Sequence, residues 1–208
     1  MQKMNEFDLK AAGWDSNDMH HARSAAIVEE LLRNVHVSKN MSALEFGAGT
    51  GLTSFLLKDQ IAEIVMMDSS PEMVRVMKEK VKASGALNLK PVLFDLEKKD
   101  WKGGKFNLLL TQMVLHHVIN LDKLLSRFFD LVLPGGYLAI ADLYTEDGSF
   151  HGKNFTGHKG FDTDLLADKL RQIGFANVSA RKCFTINKIT SDSETRNFDV
   201  FLMVAYRP

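Results

Sequence analysis

The chain has 208 residues, 45% of them apolar, with 26 Lys and Arg set against 26 Asp and Glu. That length suits about one domain around one sizeable core, and balanced charge without a block of roughly five or six like charges disfavours nucleic acid as a partner. No apolar leader opens the sequence, no run reaches the roughly 18 apolar residues of a membrane helix, and the single cysteine, Cys183, excludes an internal disulfide and a cysteine-based zinc site. A soluble, cytoplasmic protein with a reduced, packing cysteine is the expectation.

Apolar groups at Ala26, Ile27, Leu31 and Leu32 repeat with helical spacing, which predicts a first helix over 24–35 with one buried face. From Ser42 onward, short apolar runs alternate with amphipathic stretches. Residues 43–46, 64–67, 90–94, 106–110 and 137–141 read as strands, while 52–58, 71–83 and 121–132 read as helices, the second opening on Pro71. This alternation predicts an α/β, Rossmann-like doubly wound sheet, mostly parallel, with helices on both faces. Gly135-Gly136 reads as the turn into the fifth strand.

Residues 145–160 hold four glycines without periodicity, a long loop for a compact domain and a candidate lid. Asp162 or Thr163 caps a helix that ends near Ile173 at Gly174. Residues 178–184 and 200–206 follow as an antiparallel hairpin at the sheet edge, joined by a loop over 190–197. The whole chain, 1–208, then forms one domain: a helical arm (1–40), a binding core (41–144), the candidate lid (145–160), and a C-terminal helix with edge strands (161–208).

Glu45 and Phe46 lead a strand into Gly47-Ala48-Gly49-Thr50-Gly51 and then a helix, so the backbone turns sharply and approaches a ligand with no Cβ in the way. The same glycines also suit a tight turn that only packs a helix on a sheet. A dinucleotide fingerprint fails on either count, because Leu52 or Ser54 takes the place of its third glycine. Glu45 stands where it repels a diphosphate and favours a cation. Asp68, closing the second strand, suits ribose hydroxyls, and Asp95 beside Leu96 suits an adenine edge and face. Three acids closing three strands fit a positively charged nucleoside, S-adenosylmethionine.

With these residues in view, the sequence resembles the class I S-adenosylmethionine-dependent methyltransferases over most of its length. The acid-x-G-x-G-x-G motif is complete from Glu45 to Gly51; Asp68 and Asp95 are similar to the ribose-binding and adenine-binding acids. Leu115-His116-His117-Val118 is similar to the fourth-strand motif of small-molecule and quinone-biosynthesis members. Leu133-Pro134-Gly135-Gly136-Tyr137-Leu138 and Ile173-Gly174-Phe175 resemble later family segments. The resemblance implies a cofactor site of Glu45, Gly47, Ala48, Gly49, Gly51, Asp68, Ser69, Met73, Asp95, Leu96, Thr111 and Gln112, although Met73 also suits core packing. It implies a small-molecule methyl acceptor, S-adenosylhomocysteine as product, and no metal.

Two departures matter. Asn107 stands where the family usually has aspartate, and Thr111-Gln112-Met113-Val114 replaces the Asn/Asp-Pro-Pro-aromatic stretch of enzymes that methylate nucleobase amino groups or protein glutamine. The stretch Ala11 to Asp15 resembles the arm that covers the cofactor in relatives, with Trp14 as cover or anchor and Arg23 facing the methionyl carboxylate or solvent. Candidate bases are His117, His151 and His158, with His116 and His117 also suited to packing a helix start and bonding backbone. Two other readings stay open: a nicotinamide-dependent oxidoreductase, and a cofactor-binding module without turnover.

Overall fold

A computed structural model describes residues 6–152 and 154–208. The N-terminal arm comprises helix α1 (Glu6–Lys10), a 3-10 turn (Ala11–Ser16) and helix α2 (Asp18–Asn34). Helix α2 starts six residues before the expected 24, because the Asn17 side chain accepts the Met19 N–H at 3.0 Å and caps it there. Then follow β1 (Ser42–Phe46), α3 (Leu52–Leu57), β2 (Glu63–Asp68), α4 (Pro71–Ser84), β3 (Leu89–Leu93) and β4 (Phe106–Gln112). The chain closes with α5 (Leu121–Leu131), β5 (Val132–Leu143), α6 (Thr163–Ile173), β6 (Ala176–Ile189) and β7 (Thr195–Tyr206).

These strands form a seven-stranded sheet in the order β3-β2-β1-β4-β5-β7-β6. Pairings from β3 to β5 are parallel, and β7 and β6 add antiparallel, so the mixed, mostly parallel sheet is as anticipated. Alternate strand residues feed two cores. Ala43, Ile64, Met66, Leu108 and Leu202 pack with Ile27, Leu31, Leu57 and Met77 of α2, α3 and α4. On the other face, Leu44, Met67, Leu109, Ile140 and Met203 pack with Leu125 and Phe128 of α5 and Leu166 and Leu170 of α6. A sheet covered on both faces explains the nearly unbroken apolar runs that mark its central strands.

Three readings need correction. Gly135 and Gly136 lie inside β5 rather than before it, where Gly135 takes φ +80 at a register shift between Phe106 and Leu108. The expected loop over 190–197 shrinks to a short turn, closed by Thr190 N–H to Glu194 O at 2.9 Å, and β7 begins at Thr195. Both strands of that hairpin are also longer than their apolar runs, because polar outward residues interrupt the signal while the backbone ladder continues. Asn107, the departure at the start of β4, accepts the Ser42 N–H at 2.9 Å and ties β4 to β1.

Candidate functional site

The carboxyl ends of the central strands stand level: Phe46 is in register with Met67 and Thr111, and Thr111 with Ile140. Chain order reverses between β1 and β4, which opens a crevice there. Gly47, Gly49 and Gly51 leave β1 with φ of +67, +58 and +84, left-handed values that disfavour any side chain. A Cβ on Gly47 would also collide with Val114. Asp68 fastens this loop, accepting Gly49 N–H and Ser70 N–H at 2.8 Å each, and burial raises its carboxyl above the usual range.

Next to the loop lies a group of buried polar side chains. Glu45 is fully buried; its Oε2 accepts from the Ser54 N–H at 3.2 Å and from the Ser54 hydroxyl, while its Oε1 has no partner among the described residues. Burial pushes its pKa up to about 7 against the opposing hydrogen bonds of Ser54 and Thr53. Arg23 on α2 is buried too, with Nε unpartnered and Nη1 only 3.9 Å from Met19 Sδ, and burial pulls it down to about 10. Thr111 Oγ1 is likewise buried and without a partner among the described residues. Gln112 bridges Ser24, at 3.1 Å, and Thr53. Leaving such groups unmet costs roughly 1–3 kcal/mol each, more when charged. A buried acid and a buried cation with spare atoms complement the ammonium and carboxylate of an amino-acid moiety.

The arm closes over this region. Trp14 Nε1 lies 3.9 Å from where a Cβ on Gly49 would stand, and its ring lies near His20 at 4.3 Å and Phe7 at 6.4 Å between centres. Asp15 accepts from Thr50 Oγ1 and from Lys80 Nζ at 2.6 Å, and Asp8 accepts from Ser70 Oγ at 2.6 Å. Met73 and Leu96 are buried in the wall, whereas Ser69 is exposed. Asp95 lies two residues past β3, its carboxylate on Glu97 N–H at 3.0 Å and paired with Lys98 at 2.6 Å.

The histidines converge at the end of β4. His116 and His117 sit in a 3-10 turn (Leu115–His117). His116 Nδ1 meets Asp142 Oδ1 at 2.6 Å, with Asp142 fully buried in β5, so its ring bonds a carboxylate rather than backbone. The 145–160 segment folds back over it, bridged by Tyr144 and Phe161, with His158 N–H on His116 O at 2.8 Å. His117 and His151 lie 5.0 Å apart between ring centres, with Phe155 stacked on His151 at 4.0 Å. Burial and the neighbouring His116 lower His117 to about 4, and the same causes lower His151. His158 instead spends its Nε2 on Val118 O at 3.1 Å.

Asp142, Asp15 and Asp8 were not singled out from sequence. A lone acid after the apolar run 137–141 is the available signal for Asp142, and Asp15 ends the stretch that resembles the covering arm; Asp8 carries none. Cys183 is half-buried, and burial raises its thiol to about 12. A groove lined by Asn34, Tyr137, Asn177 and Tyr206 lies elsewhere and shares none of these residues.

A family model described as a methyltransferase domain, Methyltransf_23, matches residues 19–200. The uncharacterized methyltransferase C1347.09 of Schizosaccharomyces pombe is 30% identical over 153 residues, 70% of this chain and 50% of that protein, so the chain spans about half its length. Among solved structures, a chain of the complex between the Haloferax volcanii Trm112 methyltransferase activator and a methyltransferase superposes with TM-score 0.78 at 20% identity, covering 100% of both chains. The Haemonchus contortus phosphoethanolamine N-methyltransferase 2, solved with phosphomonomethylethanolamine and S-adenosylhomocysteine, gives TM-score 0.70 at 14% identity, covering 90% of this chain and 52% of that one. No helix among the described residues is long and apolar enough to cross a membrane. The chain belongs to the methyltransferase domain family, and its architecture is that of the class I S-adenosylmethionine-dependent methyltransferases.

Proposed function

We propose that this chain transfers a methyl group from S-adenosylmethionine to a small-molecule acceptor. The observation that carries the reading is the buried pair of unpartnered atoms, Glu45 Oε1 and Arg23 Nε. Glu45 takes the α-ammonium and Arg23 the α-carboxylate of the methionyl group. Gly47, Ala48, Gly49 and Gly51 let backbone approach the nucleoside; Asp68 receives the ribose hydroxyls on its remaining lone pairs. Asp95 and Leu96 offer an edge and a face to adenine, with Ser69, Met73, Thr111 and Gln112 completing the walls. Trp14 covers the glycine loop and excludes water.

When bound, S-adenosylmethionine supplies a methyl carbon on a sulfonium, already activated for in-line displacement. The remaining task is alignment, which can account for roughly 7–11 kcal/mol of barrier reduction. Phe150 and Phe155 line the histidine cluster beside the crevice and give an acceptor apolar walls. The small-molecule reading is supported by this apolar setting, by neutral overall charge, and by the small phosphomonomethylethanolamine in the complex of the Haemonchus neighbour. The 145–160 segment acts as the lid over that acceptor.

Titration calorimetry with S-adenosylhomocysteine, NAD(H) and NADP(H) tests the cofactor: heat with the first and none with the others is expected, and the reverse pattern refutes the reading. Transfer of labelled methyl groups to panels of phenols, thiols, amines and carboxylates then tests turnover. Silence across all four with cofactor binding intact would leave a binding module in place of an enzyme.

A further inference from the structure

We propose that His116, His117 and His151 form a binding site for one divalent transition-metal ion of the zinc class, with one coordination position left open. One ring nitrogen from each residue lies within 4.8 Å of those of the other two. A tetrahedral ion with bonds of about 2.0–2.1 Å holds its nitrogens roughly 3.3 Å apart, so the set needs a modest inward movement. The parts differ in freedom in the way that movement requires. His116 is buried and pinned by Asp142; His151 is exposed and followed by Gly152 at φ +88.

The neighbours of the cluster point to an ion rather than to packing alone. Asp142 holds His116 Nδ1 at 2.6 Å, which leaves Nε2 for a ligand; its carboxylate also accepts the N–H of Leu143 at 2.8 Å and of His116 at 3.3 Å, fixing its own orientation. A carboxylate on the far nitrogen of a histidine is the arrangement that orients and strengthens metal-binding imidazoles. His117 and His151 each offer a ring nitrogen toward the other two members of the set. Phe150 and Phe155 surround the three rings at centre distances of 4.0–6.4 Å. Such a wall limits water, and three imidazoles within it favour an ion that takes nitrogen ligands over a strongly hydrated one such as magnesium.

The site adjoins the methyl-transfer crevice. His117 meets Phe7 edge-on at 5.2 Å, and Phe7 meets Trp14 of the covering arm. Three histidines plus an open position make a Lewis-acid centre. An ion held there would lower the pKa of an acceptor hydroxyl, whose proton would pass to water. That consequence rests on the function proposed above; the metal site does not.

Cobalt(II) titration of the full, tag-free chain tests the proposal, with visible absorption as the readout and zinc displacement as confirmation. One equivalent giving the intense band of a four-coordinate ion is expected. His151→Ala and His117→Ala should each weaken binding at least tenfold, and Asp142→Asn by about 10–100-fold. His151 is exposed, so its variant tests the site even if changes at the buried His116–Asp142 pair disturb folding. Absence of cobalt and zinc binding, or binding unchanged in both His117→Ala and His151→Ala, overturns the proposal; the latter result would assign the ion to other histidines. S-adenosylhomocysteine titrated in parallel separates the two proposals, since cofactor binding without metal binding sinks only this one.

Discussion

At the scale of single residues, Glu45 is the group whose chemistry changes most between the free and ligand-bound protein. Its folded pKa of about 7 lies above the ordinary value of 4.5, so the free protein loses stability as pH rises through that interval. An ammonium placed beside it favours the ionised form. Affinity for S-adenosylhomocysteine should therefore rise about tenfold between pH 6 and pH 8 and level off above. Glu45→Gln removes that charge without much change of shape; it should abolish the slope and weaken binding about 30-fold or more, ~2 kcal/mol, by calorimetry at pH 8. An unchanged pH profile in the variant would remove Glu45 from the site. The sequence singled out Glu45 by its place before the glycines, whereas the orphaned state of its Oε1 depends on Ser54 and Thr53 turning in from α3, which no local pattern records.

At the scale of elements, strands and helices of the core were legible because each carries its own period and its own end signals. Pro71 after the Ser70 cap, Asn120 capping α5, and Asp162 capping α6 are local chemistry, readable one turn at a time. The arm was less legible: α1 has five residues with none buried, and its placement comes from contacts to distant chain, Asp8 to Ser70 and Asp15 to Thr50 and Lys80. The convergence of His151 on His116 was hidden for the same reason, since a loop without periodicity gives no register. If Asp15 latches the arm over the glycine loop, Asp15→Ala should speed S-adenosylhomocysteine release about fivefold, ~1 kcal/mol, in stopped-flow displacement. Circular dichroism should be unchanged. Equal release rates would make the arm an anchor only.

The glycine loop itself supports a sharper test at this scale. Gly47→Ala meets two obstacles, a φ of +67 and the Val114 side chain. The left-handed backbone costs roughly 1–2 kcal/mol, and the collision adds to it. In a Val114→Ala background the collision disappears while the backbone cost stays. The double variant should thus be more stable than the sum of the single changes by about 1 kcal/mol in urea unfolding. Strict additivity would show that Val114 does not press on the loop.

At the scale of the whole molecule, one sheet separates two apolar layers, and the crevice sits at the carboxyl ends of its central strands. Leu170 on α6 is fully buried in the layer away from the covering arm. Leu170→Ala should cost about 2–5 kcal/mol by leaving a cavity. S-adenosylhomocysteine at a hundred times its dissociation constant adds about 2.7 kcal/mol to any folded state that binds it, or roughly 5–10 °C in Tm for a chain of this size. Leu170 lies on α6 and shares its layer with Leu96 of the proposed cofactor residues, whereas the glycine loop leaves the sheet beside Ala48 of the opposite layer; the ligand should raise the stability of wild type and Leu170→Ala by nearly equal amounts in isothermal urea unfolding, although their starting points differ. A smaller increment in the variant would mean that the far layer helps to hold the crevice in shape, and the sheet would then have to be treated as one mechanical unit instead of a divider between independent cores.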